Sequence, residues 1–195
     1  MWHYGFKILR RDVEIALPLH GYTPENLESL YDSKKRNAIR KAVKENIVVK
    51  VTKDFSDFWL ILSQNLTEKH AAKPTHSLDQ FQILRKFIGD EKIKLFGAYF
   101  DKKLIAGIVV FVANKNVVHS QYIAGLQEFQ HLNAVNLLVH QISVWALENG
   151  FQYFNLGMST NPDGGVNSGL CKFKEDFGGR SVLRETMQLV LNKDE

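Results

Sequence analysis

The chain has 195 residues, 45% of them hydrophobic and 24% charged, a balance that builds a folded core and excludes a disordered chain. Its net charge of +4 at pH 7 permits a polyanionic partner without demanding one. Cys171 is the only cysteine, which excludes an intramolecular disulfide and a cysteine-based zinc set.

The opening stretch MWHYGFKILRRDVEIALPL has no uninterrupted apolar core behind a basic head, so it does not read as a signal peptide. No apolar run approaches the roughly 20 residues that span a bilayer. These features point to a soluble, cytoplasmic protein without a membrane span.

In chain order, KILRRDVEIALPL alternates and is rich in branched residues, so it reads as a strand. YTPENLESLYDS predicts a short helix, with Thr23 as N-cap and Pro24 at its first position. SKKRNAIRKAVKEN predicts a helix capped by Ser33, with Ala38, Ile39, Ala42 and Val43 as its apolar stripe. IVVKVTK is a β-branched strand. DFSDFWLILSQNLTEKH predicts a helix capped by Asp54 or Ser56, with Phe58, Trp59, Ile61 and Leu62 on a wide apolar face. SLDQFQILRKFIGD predicts another, ending near Gly89. KIKLFGAYF, KLIAGIVVFVA and NVVHSQYIAG then read as an antiparallel meander joined by the two-residue turns DK and NK.

A long, nearly all-apolar helix is predicted from about Leu132 to Glu148, stopped by Asn149-Gly150. FQYFNLG is a buried strand, GLCKFKEDFGG a short helix and LRETMQLVL the closing strand. The expected fold is one α/β domain over residues 1–195. Its sheet is mixed and mostly antiparallel, with about six or seven strands and helices on both faces. The long helix crosses between two neighbouring parallel strands.

Several positions could carry chemistry. Lys34, Lys35, Arg36, Arg40, Lys41 and Lys44 crowd one helix. Arg36 and Arg40 share a face and either lie in solvent or bind phosphate as planar forks. Backbone amides from Leu132 to Asn136 sit where a helix start can hold an anion, or Asn133 is simply its cap. Tyr122 either lines a pocket or packs. The loop from Met158 to Ser168 is rich in Gly and Asn, so it either approaches a ligand with its backbone or is an ordinary connection. Ser159 reads as a hydrogen-bonder within it. His119 reads as a packing or hydrogen-bonded strand histidine. His119, His131 and His140 form no metal-binding pattern.

Three stretches together resemble the GNAT acyltransferase superfamily, in its FemAB-like branch of peptidoglycan-bridge aminoacyltransferases. They are SKKRNAIRKAVKENIVVKV, YIAGLQEFQHLNAVNLLVHQISVWALENGFQYFNLG and GLCKFKEDFGG, the last holding a Phe-Lys-x-x-Phe-Gly signature. Many acyl-CoA-using relatives carry an Arg/Gln-x-x-Gly-x-Gly/Ala loop. Here QHLNAVN offers Gln130 and Ala134, and Asn133 stands where the central Gly is expected. The resemblance implies an acyl- or aminoacyltransferase that moves an acyl group from an activated donor to an amine. The donor is a substrate, aminoacyl-tRNA or acyl-CoA, and no cofactor is permanently bound. The acceptor is a small molecule or a cell-wall precursor, and tRNA is a candidate partner. FemAB-like enzymes usually contain two such domains, so the chain is either a fragment or a single-domain relative.

The resemblance also implies the site. The strands flanking the long helix splay and the donor enters the gap, with Gln130, Asn133, Ala134 and Tyr122 on one side and Asn155, Ser159 and Phe173 on the other. Lys174 is the catalytic lysine, a cation beside the oxyanion of the transition state. Phe173 and Phe177 pack on the sheet while Lys172 points away from the site. A solvent-facing Lys174 would be replaceable without loss of stability. Alternatives are a GNAT acyl-CoA transferase acting on a small amine and a non-catalytic binding module that keeps the fold.

Overall fold

A computed structural model of the chain describes residues 4–70 and 72–191. The elements are β1 (Lys7–Pro18), α1 (Ser33–Lys44), β2 (Val48–Thr52), α2 (Ser56–His70), α3 (Leu78–Ile88), β3 (Ile93–Phe100), β4 (Lys103–Val112), β5 (Val117–Gly125), α4 (Ala134–Glu148), β6 (Tyr153–Met158), α5 (Ser168–Glu175) and β7 (Arg180–Gln188). The strands form one seven-stranded sheet in the order β2-β3-β4-β5-β6-β1-β7. Every pairing is antiparallel except β5 with β6, which α4 joins as a crossover.

Apolar layers form on both faces of the sheet. One contains Leu17, Ile39, Ala42, Leu138, Ile142, Phe154 and Phe177, with α1 and α4 supplying the helical side. The other contains Phe55, Phe58, Trp59, Phe81, Leu95 and Val109, with α2 and α3 supplying theirs. The predicted mixed sheet with helices on both faces is therefore the observed fold. No helix among the described residues is long and apolar enough to cross a membrane.

Local chemistry explains where the boundaries moved. The Thr23 segment forms only a 3₁₀ turn at Leu27–Leu30. Asn26 Oδ1 accepts from Thr23 N at 2.8 Å and closes a turn there, in a segment too short to nucleate an α-helix. Asp32, not Ser33, caps α1: its carboxylate accepts from Lys34 N at 2.7 Å. Ser77 and Gln80 make a capping box at α3, and Gly89 ends that helix at φ 101°. Asp101 and Lys102 both have positive φ, the geometry of a two-residue hairpin turn. The link between β4 and β5 is longer, running through Ala113–Asn116, and Asn114 Oδ1 accepts from Asn116 N. A 3₁₀ turn at Gln127–Leu132 delays α4 to Ala134. β7 begins at Arg180, three residues before the predicted stretch, because it pairs along β1 from Ala16 back to Lys7.

Two irregularities shape the middle of the sheet. The β4–β5 register shifts between Val109 and Val110, leaving Gln121 as a bulge. The β1–β6 register shifts between Glu14 and Ala16, opposite Met158 and Asn155. β5 and β6 pair only from Val117–Tyr153 to His119–Asn155 and then part.

α2 packs closely on the sheet at Gly107 in β4. A Cβ there would stand 2.5 Å from Phe58 Cδ2, and Phe58 is fully buried. Gly107→Ala should therefore destabilise the protein by about 1–3 kcal/mol, the usual penalty of overpacking. Urea unfolding measures it, and an unchanged midpoint would mean that α2 lifts away freely.

Candidate active site

Where β5 and β6 part, a cavity of about 950 Å³ opens. β5 lines it from His119 to Gly125, apart from Tyr122, and the start of α4 lines it from Asn133 to Asn136. Leu62, Asn65 and Leu66 of α2 form another wall. Asn65 Nδ2 donates to Gly125 O at 2.9 Å, which ties that wall to the end of β5. Leu170, Phe173 and Lys174 of α5 close the side next to β6, and Glu14 and Arg184 reach in from β1 and β7.

Lys174 is the most constrained of these groups. It is only 3% exposed. Its Nζ donates to Gly157 O at 2.8 Å and to Met158 O at 2.7 Å. Those carbonyls are available because Gly157 takes φ 80°, a conformation that suits glycine, and turns the end of β6. Asn155 Oδ1 accepts from Gly157 N at 2.7 Å and braces the turn. Burial lowers the Lys174 pKa to about 8, against the pull of Cys171 and Glu14. The lysine is thus not the solvent-facing residue expected from the sequence. Lys172 does point away: it is exposed and pairs with Asp176 at 2.8 Å.

Beside Lys174 lies a polar chain that joins the two ends of the sequence. Glu14 accepts from Asn155 Nδ2 and from Arg184 Nη1, each at 2.9 Å. Burial alone would raise the Glu14 pKa, but these two hydrogen bonds together with the charges of Arg184 and His119 outweigh it and hold the carboxyl below its ordinary value. His119 stands opposite Asn155 in the last β5–β6 pair. Burial lowers its pKa, Glu14 and Asn155 oppose that, and Lys174 and Arg184 add to it.

At the other end of the cavity, Asn133 has φ 59°, in the left-handed region. Its side chain makes no cap. Instead it donates to His131 O at 3.2 Å and accepts from Asn136 Nδ2 at 3.3 Å. Asparagine tolerates this conformation better than most residues, so the backbone shape that favours Gly is kept without one. Lys35 of α1 joins this end. Its Nζ donates to Asn136 Oδ1 at 3.2 Å and lies 3.7 Å from the centre of the Phe173 ring. Burial lowers its pKa as well.

Gln130, Asn133, Ala134, Phe173 and Lys174 thus come together around one cavity. Tyr122 does not join them. The Gln121 bulge reverses the alternation of β5, so Val118 packs in one layer and Tyr122 in the other, against Trp59 and Phe81. Its hydroxyl pairs with His76 Nδ1 at 2.8 Å. Asn155 acts behind the wall through Glu14 and Gly157. Ser159 is buried, with a backbone N–H on Val13 O and an unpartnered Oγ, and it does not line the cavity. Arg36 donates to Tyr31 O and Arg40 lies near Glu28, both away from the cavity. The loop after Met158 closes on itself through Asn161 and Gly165, and its tip lies beside Ile8–Arg11. Glu14, Lys35, His119 and Arg184 are titratable lining residues that the sequence reading did not assign to this cavity.

The burial of Lys174 generates a stability prediction. Lys174→Ala leaves two inward carbonyls without their donor, which should cost about 1–3 kcal/mol. Lys172→Ala should leave the melting temperature nearly unchanged. Thermal melts of both variants decide the matter, and equal melting temperatures would contradict the buried geometry.

A family model described as an acetyltransferase (GNAT) domain matches residues 32–169. The crystal structure of FemX shares the fold at a TM-score of 0.75 and 14% identity, over 94% of this chain and 65% of FemX. The C-terminal domain of a putative lysylphosphatidylglycerol synthetase from Agrobacterium fabrum matches at a TM-score of 0.69 and 14% identity, over 95% of this chain and 62% of that one. The structure of L-PGS from Bacillus licheniformis matches at 0.61 and 14% identity, over 93% and 60% of the two chains. The chain therefore spans about three fifths of the length of these structures. No curated protein matches the sequence. The family match runs from the cap of α1 into the start of α5 and takes in both strands that border the cavity, so the chain belongs to the GNAT acetyltransferase-domain family, in the fold it has in common with FemX.

Proposed function

We propose that the chain transfers an acyl or aminoacyl group from an activated ester or thioester to an amine, in the manner of the FemAB-like branch. The observation that carries this reading is the Lys174 ammonium, held on the carbonyls of Gly157 and Met158 at the edge of the gap between β5 and β6. An ammonium has three donors, and two are committed to those carbonyls. The third is then available to a ligand in the cavity. When an amine attacks the donor carbonyl, the oxygen becomes an oxyanion, and a fixed cation lowers that barrier. Binding both substrates side by side supplies much of the remaining rate. No covalent enzyme intermediate is required.

The donor end is the start of α4. Its amides, together with Lys35, suit a phosphate-bearing donor. Aminoacyl-tRNA is the favoured donor, supported by the FemAB-like signature around Lys174 and by the fold in common with FemX. The name of the putative lysylphosphatidylglycerol synthetase from Agrobacterium fabrum fits aminoacyl transfer as well. The acceptor is then a cell-wall precursor or another small amine. A second reading, acyl-CoA as donor, draws on Asn133. Its left-handed backbone preserves the loop shape for which acyl-CoA users employ Gly.

A melting-temperature screen against acetyl-CoA, longer acyl-CoAs, charged tRNA and UDP-linked peptidoglycan precursors separates the two donors. Stabilisation by charged tRNA that weakens with salt supports the first. Stabilisation by acetyl-CoA alone moves the assignment to the second.

With an active pair in hand, Lys174→Ala should lower turnover by roughly 10²–10³-fold while changing donor affinity little. Lys172→Ala should not lower it. The reaction also acquires an alkaline limit. Lys174 loses its proton as the pH rises through about 8, so turnover should fall there as the cation disappears. A rate that rises through the same pH would mean that the neutral amine, not the ammonium, is the active form.

A further inference from the structure

We infer that His119 accepts the proton of the attacking amine, with Asn155 and Glu14 holding the region around its ring. The inference rests on the acyl-transfer reading above. It begins from position. His119 occupies the last residue pair before β5 and β6 diverge, and it lines the cavity at that point. Gly157 ties it to the cation. The carbonyl of Gly157 accepts from Lys174 Nζ at 2.8 Å, and the place where a Cβ would stand on Gly157 is 3.7 Å from His119 Cε1. The imidazole and the ammonium therefore approach a single residue of the chain.

Other groups in the cavity are poor bases for this step. Lys174 must stay protonated to hold an oxyanion. Both oxygens of Glu14 are occupied, one by Asn155 and one by Arg184, and a carboxylate so held is weakly basic. His140 pairs with Tyr31 and His76 with Tyr122, and neither lines the cavity. The charged groups around His119 come from three elements: Glu14 on β1, Lys174 on α5 and Arg184 on β7. Burial and the two cations keep the ring neutral near pH 7, when it can take a proton. Glu14 opposes them and keeps that proton from being held too weakly.

The step balances. The amine nitrogen forms a bond to the donor carbonyl carbon, and the carbonyl π pair moves to oxygen beside Lys174. The nitrogen then gives one proton to the His119 ring. The oxyanion collapses, the carbon–oxygen or carbon–sulfur bond to the leaving group breaks, and the leaving group takes the proton back from the imidazolium. The ring ends neutral, with no oxidant or reductant involved.

The test is a pH–rate profile of the wild type, His119→Gln and Glu14→Gln. Aminoacyl-tRNA and acetyl-CoA serve as donors and a UDP-linked peptidoglycan precursor as acceptor. The wild type should show an acid limb below the ordinary imidazole value of about 6.5. His119→Gln should lose roughly 10²–10⁴-fold in turnover, the usual share of a general base, and lose that limb. Glu14→Gln should keep the limb and move it to lower pH, a shift that a merely structural carboxylate would not produce. An NMR titration of the His119 ring in the wild type gives a readout that does not depend on how the variants fold. Its pKa should match the acid limb, and a mismatch overturns the inference. If the wild type transfers and His119→Gln transfers equally well with the same limb, this inference alone falls. If the wild type transfers nothing from either donor, the acyl-transfer reading falls and takes this one with it.

Discussion

A lysine ammonium buried inside a protein has to find acceptors, and in this chain that requirement organises the site. Lys174 sits on an eight-residue helix, and its acceptors are two backbone carbonyls at the end of β6. Carbonyls in a regular strand point along the ladder and are consumed by it. Here Gly157 leaves the strand conformation at φ 80°, and the register against β1 shifts at the same place. The irregular end of β6 and the buried cation explain each other. A side chain at position 157 would be strained by that φ, and without the cation two inward carbonyls would go unpaired. The brace behind them is Asn155, which bonds Gly157 on one side and Glu14 on the other. Through Glu14 the arrangement reaches Arg184, so strands from opposite ends of the chain are tied to one lysine.

The cavity follows from the same region of the sheet. A parallel pair joined by a crossover helix usually pairs along its length, but β5 and β6 share only three residue pairs. The Gln121 bulge bends β5, and the Gly157 turn bends β6. Both departures come just after the last shared pair, so the strands separate where both have lost regular geometry. α4 begins over the gap and α5 lies beside it, which brings one helix start and one buried cation to opposite parts of a single opening.

Much of this sheet was legible in the sequence, and the reasons are local. Alternating branched residues, the Asp101-Lys102 turn, the all-round apolar α4 and the stop at Asn149-Gly150 each fix an element within a few residues. The misplacements were local too. Asp32 outcompeted Ser33 as cap because its carboxylate reaches Lys34 N. Thr23 lost its helix because Asn26 closed a turn first. The site was less legible. Lys172 and Lys174 look alike in sequence, and what separates them is a pair of carbonyls that reach Lys174 from β6 across the loop. Glu14 and Arg184 lie far apart in the chain and meet only through the β1–β7 ladder. Tyr122 faces away from the cavity because the bulge at Gln121 breaks the alternation of β5, and no local pattern around Gln121 marks a bulge. Lys35 was one of six basic residues in its segment, and only the packing of α1 against α4 distinguishes it from Arg36 and Arg40.

The charges that remain around the cavity say what kind of molecule it accommodates. Its lining holds Glu14, Lys35, Lys174 and Arg184 beside His119. Glu14 is already neutralised by Arg184, which leaves two cations, Lys35 and Lys174. They stand at different parts of the opening, Lys35 at the start of α4 and Lys174 at the end of β6. A helix start reinforces a cation, because its free amides also attract negative charge. A neutral ligand would leave both buried cations with only neutral partners, the carbonyls at the end of β6 for Lys174 and the Asn136 amide and Phe173 ring for Lys35. The arrangement suits a ligand that carries fixed negative charge near Lys35 and gains it near Lys174 as a reaction proceeds. An activated acyl donor with a phosphate at one end and an electrophilic carbonyl at the other has that distribution, and its oxyanion forms where the second cation waits.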